Sequence, residues 1–257
     1  MGTLLPRVLK KTPLVTSSVE LRFSSSLPGA ALFGVFYGAE RNRYPKVEQT
    51  PFATIPDDVR QANPTLTFQP QYKLSGEGRG PSIQMGPRSF SIVGEANAPH
   101  IDVPFIQGEL ARLLGVLDGL GAITNYERLG LRYVNFFEGK NILKRLTLEV
   151  SLEDIDLAGG NNFHMRVELP QKPFTAGLVV MGEAQIAFGA QQTLTAPPDA
   201  KRGSLIDIDV FAEPLDITGP DKPKQLTDIF VSAHDVAKRL FFKTLSDDLI
   251  QELEPEN

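Results

Sequence analysis

Leu14-Val15-Thr16-Ser17-Ser18-Val19-Glu20-Leu21-Arg22-Phe23 places Val15, Val19, Leu21 and Phe23 at odd positions and Thr16, Ser18, Glu20 and Arg22 between them. Successive side chains of a strand point to opposite faces, so this period predicts a strand with one face on a core and the other polar. The pattern recurs along the chain. Thr65 to Leu74, Ser82 to Met85 and Ser89 to Val93 read as strands joined by the turn-forming runs Gly76-Glu77-Gly78-Arg79-Gly80-Pro81 and Gly86-Pro87, an antiparallel meander. Ile123 to Phe137 puts Leu129, Leu131 and Tyr133 on one face and Arg128, Gly130 and Arg132 on the other. Leu146 to Leu152, Asn162 to Leu169, Ala176 to Ile186 and Ser204 to Phe211, separated by Gly159-Gly160, Pro170 and Pro173, and Pro197-Pro198, predict a second meander.

Three segments carry the helical period instead. Pro28 opens the first, with Leu32, Phe33, Phe36 and Tyr37 at helical spacing. From Pro104 to Gly121, Ile106, Leu110, Leu113, Leu114, Leu117 and Leu120 form one stripe opposite Gln107, Glu109, Arg112 and Asp118. Lys224 to Lys243 aligns Leu226, Ile229, Phe230, Ala233, Ala237, Leu240 and Phe241, and a terminal turn spans Ser246 to Leu253. Tyr44 to Pro64, punctuated by Pro45, Pro51 and Pro56, reads as an irregular surface connection. The expected fold is α+β: two antiparallel β meanders forming one large sheet core or two packed lobes, covered by three amphipathic helices. Residues 1–257 are expected to form a single globular unit, divisible into lobes 12–137 and 138–257.

Composition narrows the function classes. The 257 residues are 41% hydrophobic and 22% charged, a globular balance. Twenty-six basic and thirty-one acidic side chains give a net charge of −5 and an isoelectric point near 5.3, which disfavours nucleic acid as a partner. The densest basic segment, Arg7, Lys10 and Lys11, reads as a frayed tail. No cysteine is present, which excludes disulfides, thiolate metal sites and cysteine nucleophiles. The opening MGTLLPRVLKKTPLV lacks the apolar core of a signal peptide, and no run approaches the length of a membrane span, so a cytoplasmic location without membrane partners is expected.

The motifs of common catalytic centres are missing. His100, His164 and His234 have no second histidine four residues away, so no metal motif is local in sequence. The run from Gly76 to Gly80 precedes a strand rather than the helix a phosphate loop requires, and reads as a hairpin loop. Neither G-x-x-x-x-G-K-[ST] nor G-x-S-x-G occurs. Among paired carboxylates, Glu153/Asp154 and Asp247/Asp248 are adjacent and would diverge in a strand, whereas Asp207 and Asp209 share a face that solvation explains. Neither a metal nor another cofactor is expected. Charge does gather in one place: Glu20 and Arg22 on the first strand and Arg128 and Arg132 on the fifth form a ladder if those strands are neighbours. Such a ladder is either a solvated sheet face or a site for a carboxylate, a phosphate or an acidic partner.

Pro13-Leu14-Val15 leading into Glu20-Leu21-Arg22-Phe23, then Tyr44-Pro45, Gln84-Met85-Gly86-Pro87, Arg128-Leu129-Gly130-Leu131-Arg132-Tyr133-Val134-Asn135, and His234 with Phe241-Phe242, resemble a sporadically distributed bacterial family of uncharacterised proteins of about this length. The resemblance covers nearly the whole chain, and R-x-G-L-R-Y-x-N is its most specific piece. Asn97-Ala98-Pro99-His100 and the lack of tryptophan depart from it. It implies bacterial origin, a cytoplasmic setting and the patchy inheritance of defence or toxin-linked genes, and no reaction.

The function expected is therefore a non-enzymatic protein-binding or accessory factor, with another protein or a second copy of itself as partner. Its binding residues would be Glu20, Arg22, Arg128, Arg132 and His234, with the helix Lys224 to Lys243 as a second surface. The alternative is a sensor or enzyme for a small phosphorylated ligand or nucleotide, with Arg128 and Arg132 on the anion and His234 as acid or base. RNA binding would need aromatic platforms beside the arginines, and Tyr126 shares their parity.

Overall fold

Alternation at period two yields nine strands in one antiparallel sheet: β1 (Leu14–Ser25), β2 (Lys46–Gln49), β3 (Tyr72–Ser75), β4 (Ser82–Met85), β5 (Ser89–Glu95), β6 (Ile123–Glu138), β7 (His164–Gln171), β8 (Phe174–Ile186) and β9 (Lys201–Ala212). The computed structural model describes residues 5–78, 80–95, 103–156, 162–186 and 200–256. The strand order is β7-β8-β9-β6-β1-β5-β4-β3-β2. The two expected meanders, which supply β3 to β5 and β7 to β9, are thus parts of one sheet, with β1 and β6 side by side between them and β2 added at the end of the first. The helices are α1 (Gly29–Glu40), α2 (Asp57–Ala62), α3 (Pro64–Thr67), α4 (Val103–Gly119), α5 (Lys222–Thr244) and α6 (Asp247–Glu252). None of the described helices is long and apolar enough to cross a membrane. The described chain groups into two compact units, Thr16–Arg132 with Val210–His234, and Met1–Val15 with Tyr133–Asp209 and Asp235–Asn257.

In the unit of Thr16–Arg132 and Val210–His234, the register pairs Val19 with Ile92 and Leu21 with Phe90, so the apolar sides of β1 and β5 coincide. Phe36 of α1 meets Phe90 edge-on at 5.8 Å, and Phe33 stacks on Tyr72 at 3.7 Å. Leu110, Leu113, Leu114 and Leu117 of α4 are completely buried, as their stripe predicts. The opposite row of α4 departs from expectation, because Glu109 is also buried. Arg112 closes a two-pronged contact on Glu40 at 2.7 and 2.8 Å and donates to Glu109 at 2.7 and 3.2 Å. Arg43 and Tyr44 donate to the same Glu109 carboxylate at 2.8 and 2.5 Å. This network covers a flank of α4 that its amphipathic pattern assigns to water.

The expected strand Thr65 to Leu74 is a correction. Asn63 accepts a hydrogen bond from the Thr65 N–H at 3.0 Å, and Pro64 occupies the first helical position, so the segment opens as the short helix α3 and only Tyr72–Ser75 joins the sheet. Tyr44 to Pro64 is likewise more ordered than its prolines suggest, holding β2, a 3-10 turn at Pro51–Thr54 and α2. The run from Gly76 to Gly80 joins antiparallel β3 and β4, as a hairpin loop should, with Gly78 at φ 86°.

In the other unit, Leu146 to Leu152 does not form the expected strand. Thr147 N–H donates to the Thr244 carbonyl at 2.9 Å and its hydroxyl to the Lys243 carbonyl, so this stretch ties down the end of α5. Leu146 makes an isolated antiparallel bridge to Leu245, and Ser151–Leu152 pairs with Ile155–Asp156. Arg145 reaches Asp248 and Glu252 of α6 at 2.9 and 2.5 Å. The N-terminal tail is also a correction: Val8–Leu9 pairs with Pro255–Glu256, Lys10 meets Glu256 at 3.1 Å and Lys11 meets Glu254 at 2.5 Å. Lys10 and Lys11 thus answer the carboxylates of Glu256 and Glu254. Asn97 to His100, Gly159-Gly160 and Pro197-Pro198 lie outside the described residues.

Candidate functional site

Because β1 and β6 are neighbours, the condition for the charged ladder is met. Glu20 and Arg22 stand two residues apart on the polar side of β1, and the Arg22 Nε donates to Glu20 Oε1 at 2.6 Å. From β6, Arg128 Nη1 donates to the same Glu20 oxygen at 2.8 Å, while its Nε lies 3.6 Å from Glu213 Oε2. The Arg128 guanidinium covers the Phe211 ring at 4.4 Å. Arg22 and Arg88 both lie over Phe68, at 4.5 and 5.3 Å. Arg88 in turn donates to Glu127 at 2.5 Å, and the Ser24 hydroxyl donates to that same oxygen at 2.5 Å. Three guanidiniums, Arg22, Arg88 and Arg128, thus answer three carboxylates, Glu20, Glu127 and Glu213, above two phenyl rings.

Glu127 and Arg128, adjacent in sequence, both bond to side chains of β1, Glu127 to Ser24 and Arg128 to Glu20. Tyr126, Leu129 and Leu131 are fully buried and Arg128 is only 7% exposed, so burial does not alternate along this part of β6. The Leu215 N–H donates to the Glu127 carbonyl at 3.1 Å. Tyr126, which shares the parity of Arg128, is buried. Its hydroxyl ionisation is pushed up, first by burial and then by the Asp118 charge, and its ring is not available as a stacking platform.

Gly130 completes the arrangement. A methyl group at its Cα would stand 2.5 Å from Arg128 Nη1 and 2.9 Å from its Cζ, so the guanidinium lies along the strand directly over this glycine. Glycine in R-x-G is therefore what lets a 7% exposed arginine reach Phe211, Glu20 and Glu213 together. Gly130→Ala is expected to dislodge that guanidinium and cost about 2 kcal/mol, most of it from stranding a buried charge. Thermal melting of the variant checks the value, and an unchanged midpoint would show that the arginine has an equivalent second position.

Glu20, Arg22 and Arg128 are thus brought together. Arg132, four residues beyond Arg128, is exposed, so the two arginines of the strand motif occupy different environments. His234 lies half-buried on α5 beside the buried Ala233 and Ala237. Among the described residues no group of three or more histidine, aspartate or glutamate side chains is placed to hold a metal ion. Phe68, Arg88, Glu127, Phe211 and Glu213 were not foreseen. Phe68 lies in a segment whose pattern predicts a strand, and Glu127 has the parity opposite to that of Arg128. Phe211 shares parity with Asp207 and Asp209, a signal that becomes readable once β9 is set beside β6.

The charged cluster extends as a polar row. Register aligns Glu20 with Ser91, Ser91 with Gln84, Gln84 with Lys73 and Lys73 with Glu48, crossing the sheet from β1 to β2. No known protein family matches this chain, and neither a curated protein nor a solved structure is significantly similar to it.

Proposed function

We propose that the chain is a non-enzymatic protein-binding or accessory factor, and that the Arg22, Arg88 and Phe68 corner of the charged sheet face is its contact surface. The observation that carries this reading is charge balance. Each guanidinium of the cluster is matched by a carboxylate within 3.6 Å, so the group as a whole has no surplus charge for a phosphate. Arginines lying on aromatic rings beside glutamates suit a partner surface of mixed polarity, where arginine and aromatic side chains commonly dominate binding. Arg22 and Arg88 retain 28% and 41% of their side-chain exposure, enough to be touched, whereas Arg128 acts beneath them as support. A bacterial, cytoplasmic setting and a role in defence or toxin neutralisation, which the resemblance implies, belong to the same proposal.

The test compares the tagged wild-type chain with Arg22→Glu/Arg88→Glu, purified from the native host at moderate salt. One stoichiometric protein companion that is lost from the double variant, with melting unchanged, is the expected result. A co-purifying 260 nm absorber without a companion would overturn the reading in favour of a phosphorylated or nucleotide ligand at Arg128, Arg132 and His234.

A further inference from the structure

We infer that the chain associates with a second copy of itself through β7, edge to edge and antiparallel, about a two-fold axis at Val167. β7 ends the sheet order, with β8 as its sole strand neighbour among the described residues. The register pairs Met165 with Val180, Val167 with Leu178 and Leu169 with Ala176, and Gly182 N–H donates to the Phe163 carbonyl at 2.9 Å. In an antiparallel ladder, hydrogen-bonded and non-hydrogen-bonded pairs alternate. The Phe163 bond therefore assigns the odd residues of β7 to β8, and leaves the N–H and C=O groups of His164, Arg166 and Glu168, with the C=O of Pro170, directed outward. A row with no strand partner among the described residues is a template for another strand.

The side chains select which strand fits and in which register. Outward backbone groups can pair only with outward backbone groups, so a symmetric pairing must be centred on Arg166, Val167 or Glu168. Centring on Arg166 sets arginine against arginine, and centring on Glu168 sets glutamate against glutamate, both unfavourable across a strand pair. Centring on Val167 sets Arg166 opposite Glu168 of the second copy and Glu168 opposite its Arg166. The same register lets the His164 N–H meet the Pro170 carbonyl, the one group that proline still offers. On the other face Met165 then lies opposite Leu169, and Val167 opposite Val167, all three half-buried in the single chain. The Arg166 and Glu168 side chains are 73% and 58% exposed and only 3.6 Å apart within one chain, a solvated pair free to exchange partners. The contact is isologous, as two-fold dimers require. It uses a surface separate from the charged face, so it stands or falls independently of the binding proposal.

Sedimentation velocity over a concentration series of the full chain tests it. The wild type is expected to show a reversible monomer–dimer equilibrium. Arg166→Glu and Glu168→Arg alone should each raise its dissociation constant by about tenfold or more, since each sets like charges opposite one another. The double variant Arg166→Glu/Glu168→Arg should recover the dimer, because exchanging the two charges preserves self-complementarity. An equimolar mixture of the two single variants should likewise form a heterodimer. A wild type that stays monomeric at its highest soluble concentration, or a dimer that ignores both single substitutions, would overturn the inference.

Discussion

Arg112→Ala is expected to destabilise the protein by about 3 kcal/mol, because it removes the cation between two carboxylates that are almost entirely buried. That figure is the lower end of what breaking a buried pair costs, since Arg112 keeps about a third of its side chain in water. Glu40 loses its two-pronged partner, while Glu109 keeps Arg43 and Tyr44. The effect depends on pH, with a definite sign. Burial by itself pushes the Glu109 carboxyl up, but Arg112, Tyr44 and Arg43 together outweigh burial and hold it below its ordinary 4.5. A folded carboxylate held low stabilises the fold above the ordinary value and loses that stabilisation as pH falls through its own lower value. Without Arg112 the burial effect gains weight, so protonation relieves the variant before it affects the wild type. The stability gap between the two should be widest near neutral pH and narrow as the ordinary carboxylate range is crossed downward. Urea denaturation at a series of pH values checks this, and a gap that widens in acid would show that Glu40 and Glu109 are not the groups stranded. Arg112→Lys should fall between the two, since one ammonium cannot form the parallel pair of bonds to Glu40.

Gly203→Ala should cost as much by a different mechanism. A Cβ there would press into the Phe137 carbonyl, lying 2.9 Å from its carbon and 3.0 Å from the Phe136 ring. Gly139 N–H donates to the Arg202 carbonyl at 2.8 Å, so the obstructing backbone is pinned beside the glycine and cannot retreat without breaking that bond. Overpacking against backbone is expected to cost about 3 kcal/mol, a fall of roughly 6 to 12 °C in melting temperature for a chain of this size. Gly177→Ala is the control, because the nearest atom to its new methyl would be 3.7 Å away. Equal losses at the two positions would mean that strand entropy, and not collision, sets the cost.

Much of this fold was legible where pattern and environment agree. The alternation of Val19, Leu21 and Phe23, and the stripe Leu110, Leu113, Leu114 and Leu117, each report a single buried face, and the structure buries them. The strand starting at Thr65 failed because an asparagine cap and a proline act over one turn, below the length at which periodicity is read. Glu109 failed because a charged residue is assigned to water unless its partners are known, and Arg43 and Tyr44 precede it by more than sixty residues. The candidate site divides in the same way. Glu20 and Arg22 form a local pair two residues apart, so their shared face could be read directly, and Arg128 joined them once strand adjacency was supposed. Tyr126 shares the parity of Arg128 but is buried, so its ring cannot be the platform that parity alone suggests.

By itself the sequence determined most of the strands, the three long helices, the polar side of β1 and the absence of thiol chemistry, because each depends on residue type and spacing within a few turns of chain. Tertiary structure alone decided that β1 lies against β6, that Arg128 lies over Gly130 and Phe211, that Glu109 leaves water, and which strand is left as an edge. Those outcomes are set by contacts between residues distant in the chain, whose free energy depends on burial and on partners that no local pattern encodes.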